Sequence, residues 1–472
     1  MKLWQFQCTG IRVFVCPEAY PQMITQAKQS AHGASEEQPE NLHSKSAMRA
    51  ANLLRWIAVL GLGVATLCIY HPIYSASSRV NVSGFETFAL AESIVNHHSF
   101  SDPFEALPTG PSAHMGPLFP AYLALIIRVF GEGSRAVGVL MWAASLTLAL
   151  QLMMLPLLAK HLGLGFWTGI LAGAAWLAAG IPPALSSEAT LASLLVVAAA
   201  YLMGRCFARE TSGKHLFIWA FVWAALLLLH PVTVVVLAFW LLLLHFRSRR
   251  STRQKIALGL LPILLVAPWI GRNLLVFHKL FFIRDNLGLE LAVSNNSCAS
   301  FRFDVNVETD CFGLSHPNLN YEEALKVRQL GEIEYNRLRL QEALAWIRAN
   351  PGAFCSLSTK RFKAFWLPPP SSNAASGVLS HAWILNCFTL LSIPGMFFMW
   401  RNSRVGAYVV GSWLVFFPLI YYFIQYMNRY RYPILWASFL AGSYFLVELV
   451  RGIMGKKETQ CAPTTVSSSE AD

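Results

Sequence analysis

Residues able to transfer protons lie mainly in two polar stretches that separate long apolar runs. The first stretch, residues 71–135, contains Glu86, Asp102 and His114. The second stretch, residues 278–380, follows the apolar run that ends at Phe277. Carboxylates and histidines are the side chains that most often act as general acids and bases. These two stretches are therefore the first places to look for a site.

Arginines at the edges of the apolar runs are the candidates for binding an anion. Arg272, next to Asn273, lies just inside the end of one run, where a guanidinium needs an anionic partner or an aqueous cavity. The alternative is that it reaches up to the lipid headgroups. Arg429 and Arg431 flank the start of the last run and fit either a lipid-phosphate site or an interfacial anchor. Arg284 lies in the polar stretch nearest to Arg272.

The overall composition places these residues in a membrane protein. Of the 472 residues, 55% are hydrophobic and 13% are charged, whereas about 25% are charged in ordinary soluble domains. This composition excludes a soluble single-core enzyme, a disordered chain and a typical nucleic-acid-binding protein. The net charge of +12 is expected when lysine and arginine accumulate in cytoplasmic loops. The predicted fold class is an all-α polytopic membrane protein.

About ten apolar runs are candidates for transmembrane helices, each of which needs roughly 20 residues. They are Ala51–Tyr70, Ala136–Leu158, Leu164–Gly180, Ser187–Cys206, His215–His230, Pro231–Phe246, Ile256–Phe277, His381–Trp400, Arg404–Ile424 and Tyr432–Val450. The stretch 215–246 is too long for one span and is divided at His230-Pro231. Pro117–Phe130 is assigned to the membrane surface, because counting it as a span would destroy the positive-inside bias of the loops.

This topology places residues 71–135 and 278–380, hereafter the first and second outer segments, on the outer face. Both termini are then cytoplasmic. Lys360, Arg361 and Lys363 beside Phe365-Trp366 indicate an interfacial anchor. The predicted regions are an N-terminal extension (1–48), disordered or preceding a true start at Met48, a membrane domain (49–277), the second outer segment (278–380), C-terminal spans (381–451) and a disordered tail (452–472).

The outer segments contain two predicted amphipathic helices and one candidate disulfide. In Glu86–His97, polar and apolar residues fall on opposite faces at helical spacing, which predicts an amphipathic helix with Glu86 directed into a cleft. A second helix from Tyr321 is expected to run to Asn350, where Asn-Pro stops it, with its charged face in solvent. Cys298 and Cys311 are expected to pair in an oxidising outer compartment.

The order of these features resembles a known enzyme family. A span, an outer loop with an acidic residue, a Pro-rich turn and the segment "PLFPAYLALIIRVFG" are followed by many spans, with "APWIGRNLLVF" and "NRYRYPI" further on. Over residues 50–450 this pattern resembles the C-type membrane glycosyltransferases, the relatives of dolichyl-phosphate-mannose–protein mannosyltransferase and aminoarabinose transferase. The family usually has Asp in the first loop, whereas this chain has Gly84-Phe85-Glu86.

The resemblance implies transfer of a sugar from a polyprenyl phosphate to a lipid, glycan or protein acceptor at the outer face. It implies that Glu86 is the base, unless Glu86 is only an exposed carboxylate stabilised by the dipole at a helix start. Asp102 is the second candidate, unless Asp102 only forms a turn before Pro103. His114 would shape the acceptor site or be merely solvated. The expected substrate-binding residues are Arg272, Asn273, Arg284, Arg429, Arg431 and His114.

The expected partners are membrane lipids and the lipid-linked donor, without nucleic acid or nucleotide. No GxxxxGK[ST] loop occurs. His97-His98 with Asp102 lack a zinc spacing, so no metal ligand and no cofactor are predicted, and a divalent cation stays open. The alternative functions are a lipid or polysaccharide transporter, which the lack of acidic residues in the middle of the spans disfavours, and an inactive family member that acts as an assembly partner.

Overall fold

The chain is an all-α polytopic membrane protein in the computed structural model, as its composition predicts. The structure describes residues 40–76, 86–185, 187–206, 213–248, 250–369 and 382–460, with side chains between 48 and 454 except 71–76. Most of the predicted N-terminal extension, the Gly84-Phe85 departure from the family pattern and the end of the predicted tail lie outside these residues.

Nineteen α-helices occur in the described residues. They are α1 (Glu40–Ala76), α2 (Glu86–His97), α3 (Leu118–Phe130), α4 (Ser134–His161), α5 (Phe166–Ala178), α6 (Ala189–Arg205), α7 (Gly213–Leu229), α8 (Val234–Arg247), α9 (Thr252–Phe277), α10 (Leu287–Ser294), α11 (Phe303–Glu308), α12 (Cys311–Ser315), α13 (Tyr321–Leu330), α14 (Glu332–Ala349), α15 (Pro351–Trp366), α16 (Ala382–Asn402), α17 (Arg404–Phe416), α18 (Asn428–Arg431) and α19 (Leu435–Gln460). Helix α1 begins within the predicted extension, and α19 continues into the predicted tail.

Among the residues that the structure describes, six helical stretches are long and apolar enough to cross a bilayer, which makes the protein multi-pass. They are Met48–Tyr70, Ser134–His161, Thr252–Phe277, Ala382–Asn402, Arg404–Tyr422 and Asn428–Met454. The other four predicted spans correspond to the shorter apolar helices α5, α6, α7 and the stretch Pro231–Arg247. At about 1.5 Å per residue, these helices are shorter than the ~30 Å apolar layer.

The division of the stretch 215–246 is confirmed. Helix α7 ends at Leu229, and a 3₁₀ turn begins at Pro231. Proline lacks the backbone N–H that would continue the helix and clashes with the preceding turn. Gly116 of the first outer segment packs on this break, since a Cβ there would lie 2.4 Å from the Leu228 carbonyl oxygen. The break therefore seats the first outer segment and places His230 beneath it.

The amphipathic helix predicted for Glu86–His97 is α2, and its apolar face packs on α3. Phe88 and Ala91 join a cluster with Phe119, Leu123 and Ile127. Burial of this face fixes the rotation of α2 about its axis, because the apolar residues recur at helical spacing. The first residue of the helix, Glu86, is held at a defined position as a result.

The second outer segment differs from its prediction at the long helix. Gly331, with φ of 80°, separates α13 from α14, a backbone conformation that glycine adopts without steric cost. The charged face is solvated only in part, because the side chains of Glu323 and Glu332 are buried. Glu332 accepts hydrogen bonds from Ser112 Oγ at 2.6 Å and from the Ala113 N–H at 2.7 Å. Helix α14 thereby fastens the two outer segments together.

Two further expectations for the second outer segment have opposite outcomes. The disulfide between Cys298 and Cys311 is confirmed. Arg361 is not an interfacial anchor, because it is fully buried and donates to the Ser294 carbonyl and to Asn295 Oδ1. A buried guanidinium needs several acceptors, and this one joins α15 to the end of α10.

Candidate active site

Charged residues from distant parts of the chain converge beside α2. Three acidic side chains take part: Glu86 at the start of α2, Glu188 just before α6, and Glu290 on α10. Arg284 and Arg429 interact electrostatically with all three of them. Three carboxylates and two guanidiniums thus form one compact polar cluster, a composition suited to proton transfer next to an anion.

Glu86 is a carboxyl group in a mainly buried environment. Its side chain is 17% exposed, and burial raises its pKa, while the positive charges of Arg429 and Arg284 lower the pKa in part. Its Oε1 atom lies 3.8 Å from Nε2 of His316. A carboxyl group with a raised pKa that is still close to arginines is a suitable general base.

Two buried histidines stand beside this carboxyl group. The rings of His114 and His316 lie 6.3 Å apart, and both contact the edge or face of Phe104. Burial lowers the pKa of both imidazoles, that of His316 to about 3, so both are neutral at physiological pH. The Asn318 backbone N–H donates to Nδ1 of His316 at 3.1 Å. The ring proton of His316 is therefore on Nε2, the atom that faces Glu86.

Glu86, His114 and His316 are the candidate metal ligands in the described part of the chain. Their ligand atoms all lie within 4.8 Å of one another, although no metal ligand was predicted from the sequence. His114 fits a metal, because its buried Nδ1 has no hydrogen-bond partner among the described residues. His316 does not fit, because a neutral ring whose Nδ1 accepts a hydrogen bond carries a proton on Nε2 and has no lone pair there. Two ligands that fit fall short of a closed site.

Arg284 and Arg429 are the predicted arginines that belong to the cluster. Arg284 donates from Nε to the His114 carbonyl at 2.9 Å, which fixes the guanidinium beside the first outer segment. The guanidinium of Arg429 lies 5.6 Å from the centre of the Tyr430 ring. Both retain N–H groups beyond these contacts, since a guanidinium has five.

An apolar cavity of about 360 Å³ opens beside Arg429. Its lining includes Pro182, Pro183, Pro369, Leu385 and Leu435. An apolar cavity that ends at an arginine matches a ligand with a hydrocarbon chain and an anionic group.

Two predicted substrate-binding residues donate hydrogen bonds to backbone carbonyls of the outer segments. Arg272 donates to the carbonyls of Ser112 and Phe100 at 2.8 and 3.0 Å. Asn273 is fully buried and donates to the Ile283 carbonyl. These bonds join the end of α9 to both outer segments, so neither side chain is directed at the acidic cluster.

Arg431, two residues from Arg429, also lines the apolar cavity, but its hydrogen-bond partners lie outside the polar cluster. Its side chain is 2% exposed and donates to the Phe365 and Trp366 carbonyls and to the hydroxyls of Thr389 and Ser438.

Asp102, the second candidate base, has the turn role that the sequence left open. Its φ is 58°. Its two carboxylate oxygens accept from Ser101 Oγ at 2.9 Å and from the Gly110 N–H at 2.7 Å. An Asp side chain that bonds nearby backbone in a left-handed conformation stabilises a loop. Glu86 is therefore the better candidate.

The comparisons with known proteins bear on the fold. No protein-family model matches the sequence, and no curated protein matches it. The structure is similar to the apo form of an oligosaccharyltransferase from Archaeoglobus fulgidus, with a TM-score of 0.51 and 12% identity over 86% of this chain and 52% of that one. It is also similar to the complex of the Archaeoglobus fulgidus oligosaccharyltransferase with Zn and sulfate, with a TM-score of 0.50 and 12% identity over 85% and 50%.

A third similar structure is the archaeal oligosaccharyltransferase AglB from Archaeoglobus fulgidus in complex with an inhibitory peptide and a dolichol-phosphate, with a TM-score of 0.49 and 10% identity over 88% and 52%. The chain spans about half the length of these proteins. The similarity to the two Archaeoglobus fulgidus oligosaccharyltransferase structures with TM-scores of 0.51 and 0.50 shows a shared helical architecture.

Proposed function

We propose that this protein is a membrane glycosyltransferase that moves a sugar from a polyprenyl-phosphate donor to a hydroxyl-bearing acceptor at the outer face of the membrane. The observation that carries the proposal is the convergence of the Glu86 carboxyl group with Arg284 and Arg429 beside an apolar cavity. A base, a cationic group and a hydrocarbon site are the three features that such a reaction requires. The fold shared with oligosaccharyltransferases supports the same class of enzyme.

Glu86 is the proposed general base. It takes the proton of the acceptor hydroxyl as the hydroxyl oxygen attacks the anomeric carbon of the sugar. Burial raises the pKa of Glu86, which makes its carboxylate a stronger base than an exposed one. The Nε2–H of His316 faces Glu86 at 3.8 Å.

Arg429 and Arg284 are the proposed phosphate-binding groups. As the new bond forms, the bond between the anomeric carbon and the phosphate oxygen breaks, and its electron pair stays on the phosphate. The two guanidiniums stabilise that charge through hydrogen bonds in a site of low water content. The prenyl chain would lie in the apolar cavity next to Arg429. The products are the glycosylated acceptor, with its anomeric configuration inverted, and the prenyl phosphate.

The test is sugar transfer by the purified full chain in lipid nanodiscs. The donors are dolichyl- and undecaprenyl-phosphates that carry radiolabelled hexoses or aminoarabinose, and native membrane extract supplies the acceptor. We expect Glu86→Gln to lower kcat/KM by about 100-fold or more. Glu92→Gln is the matched control, since Glu92 is an exposed carboxylate on the same helix, and it should retain wild-type activity.

Two outcomes would contradict the proposal. Full activity of Glu86→Gln would show that Glu86 is not the base. A wild-type protein that binds these donors without consuming any of them would favour the transporter or the inactive assembly partner.

A further inference from the structure

Three buried polar side chains next to the proposed base form a continuous chain that the mechanism above does not use. Glu188 Oε1 lies 3.3 Å from Nδ1 of His230. Nε2 of the same ring lies 2.7 Å from the hydroxyl oxygen of Tyr421. The three residues come from the loop before α6, the break after α7 and the 3₁₀ turn after α17.

The charge of Glu188 sets the tautomer of His230 and with it the direction of the hydrogen bond to Tyr421. Glu188 Oε1 contacts Nδ1 of His230 as an ion pair without hydrogen-bond geometry, and the negative charge of the carboxylate favours the imidazole proton on that nitrogen. Nε2 then has a lone pair and accepts the Tyr421 hydroxyl proton. Because the phenol donates to His230, its oxygen can only accept a hydrogen bond from any further partner.

Tyr421 interacts electrostatically with Arg284 and Arg429, the arginines proposed to bind the donor phosphate. Its ring stacks on Tyr430 with ring centres 4.6 Å apart, and Arg429 lies over the Tyr430 ring. Glu188 Oε2 is also buried and has no hydrogen-bond partner among the described residues. Glu188 and Tyr421 both interact electrostatically with Arg429, and Glu188 Oε2 is the buried acceptor that has no donor in the described part of the chain, which is energetically costly.

We propose that Tyr421, held by His230 and Glu188, is the group that binds a hydroxyl of the donor sugar. The sugar hydroxyl donates to Tyr421 Oη, and His230 and Glu188 are positioning residues that act through Tyr421. The inference rests on the proposed function, because the ligand is the sugar next to the lipid phosphate.

The first experiment removes the hydroxyl oxygen of Tyr421 and, separately, single hydroxyl groups of the donor sugar. Tyr421→Phe keeps the ring stack and should lower kcat/KM about tenfold, the value of one hydrogen bond in a buried site. Tyr422→Phe is the matched control, because its hydroxyl accepts from Trp366 Nε1 at 2.9 Å, outside the chain of contacts. The same reaction is run with a series of donors in which a single sugar hydroxyl is replaced by hydrogen or fluorine. One of these donors should lower kcat/KM of the wild type about tenfold relative to the native donor. With Tyr421→Phe, that donor and the native donor should give the same kcat/KM.

The second experiment tests the positioning role. In Glu188→Gln the amide can donate to His230, which reverses the tautomer and leaves Nε2–H as a donor to Tyr421. The double variant Glu188→Gln/Tyr421→Phe should then be only slightly less active than either single variant. Thermal unfolding of each variant reports whether the fold is retained.

The outcomes separate this inference from the proposed function. If the wild type transfers sugar and Tyr421→Phe behaves as Tyr422→Phe does, the inference is overturned and the function stands. Independent, multiplying effects of the two substitutions would also overturn it. If a variant does not fold, the transfer rates of the wild type with the deoxy donors still test the inference. Equal rates with every donor of the series would contradict it. No transfer by the wild type contradicts the function itself.

Discussion

Arg429 and Arg431 are two positions apart and line the same apolar cavity, but they have different polar partners. Arg429 interacts with Glu86, Glu188 and Glu290, whereas Arg431 binds backbone carbonyls in the interior. The sequence pattern that makes both candidates for phosphate binding does not contain this difference, because it depends on how α18 is rotated against α15.

The same substitution at both positions should therefore separate activity from stability. Arg429→Met should fold and lose about 100-fold or more in kcat/KM, as expected when one donor to a developing oxyanion is removed. Arg431→Met should unfold at a lower temperature, because its acceptors lose their partners at about 1–3 kcal/mol each. Activity and thermal unfolding in nanodiscs are measured for both. Equal stability losses would contradict the distinction.

The pH dependence of the reaction should reveal the buried base. Because burial raises the pKa of Glu86, a larger fraction of it is protonated and inactive at mildly acidic pH. Hence kcat/KM should fall as pH decreases, with a midpoint above the ordinary glutamate value of about 4.3. Burial also raises the pKa of Glu290, so Glu290→Gln is the control and should keep this acidic limb. A midpoint in the ordinary range would argue against Glu86.

Only part of the site follows from residue types and spacing. Glu86 could be named because it opens an amphipathic helix in a polar segment. His316, Glu188, His230 and Tyr421 could not, because their partners are remote in sequence: His230 and Tyr421 are 191 positions apart. In the sequence, Glu188 is recognisable only as a residue near a helix end and His230 only as a residue at a helix break. Neither feature predicts that the two side chains contact each other.

At the scale of elements, α14 holds the first outer segment through one buried carboxyl group, that of Glu332, which accepts hydrogen bonds from Ser112 and Ala113. Burial raises the pKa of Glu332 from 4.5 to about 7. Between these values the folded protein keeps a proton that the unfolded chain has lost, so the free energy of unfolding decreases as pH rises. The decrease is on the order of 3 kcal/mol at about 1.4 kcal/mol per pKa unit.

Glu332→Gln should abolish most of this decrease, because its amide is uncharged at every pH. The measurement is thermal unfolding at pH 5.5 and pH 8, where the wild type should lose more stability than the variant. Glu334→Gln is the control, since Glu334 lies on the same helix and pairs with Arg337 at the surface. An unchanged pH dependence in Glu332→Gln would contradict the role of this carboxyl group.

The elements themselves were predictable where local rules decide them. The proline break after His230 and the amphipathic α2 follow from backbone chemistry and from helical periodicity. The break at Gly331 was missed, since a single glycine in a strongly helical stretch is often tolerated. The burial of Arg361 was missed because the end of α10 that covers it is 66 positions away.

At the scale of the whole molecule, composition and hydropathy were enough for the fold class. They were not enough for the number of spans. Helices such as α5 and α6 have the right hydropathy but are too short, and only packing against neighbouring helices decides how they lie. This is why six stretches qualify by length where about ten were predicted.

The orientation of the molecule can be tested with a natural cysteine. Cys355 is exposed on α15 in the second outer segment. A membrane-impermeant maleimide added to intact cells should label the wild type more than Cys355→Ser. In the Cys355→Ser background, Arg253→Cys should be labelled only after permeabilisation, because Arg253 lies in a predicted cytoplasmic loop. Labelling of Cys355 only after permeabilisation would reverse the topology.

The hydrogen bond between Ser112 and Glu332 also determines when, during synthesis, the first outer segment can reach its final conformation. The two residues are 220 positions apart. At about 5–20 residues per second, the ribosome needs roughly 10–45 s to make the chain between them. Throughout that interval the loop that carries His114 has been made, but the carboxyl group that accepts its Ala113 N–H does not yet exist. A nascent chain stalled before α14 would therefore hold every residue of the first outer segment without its final conformation.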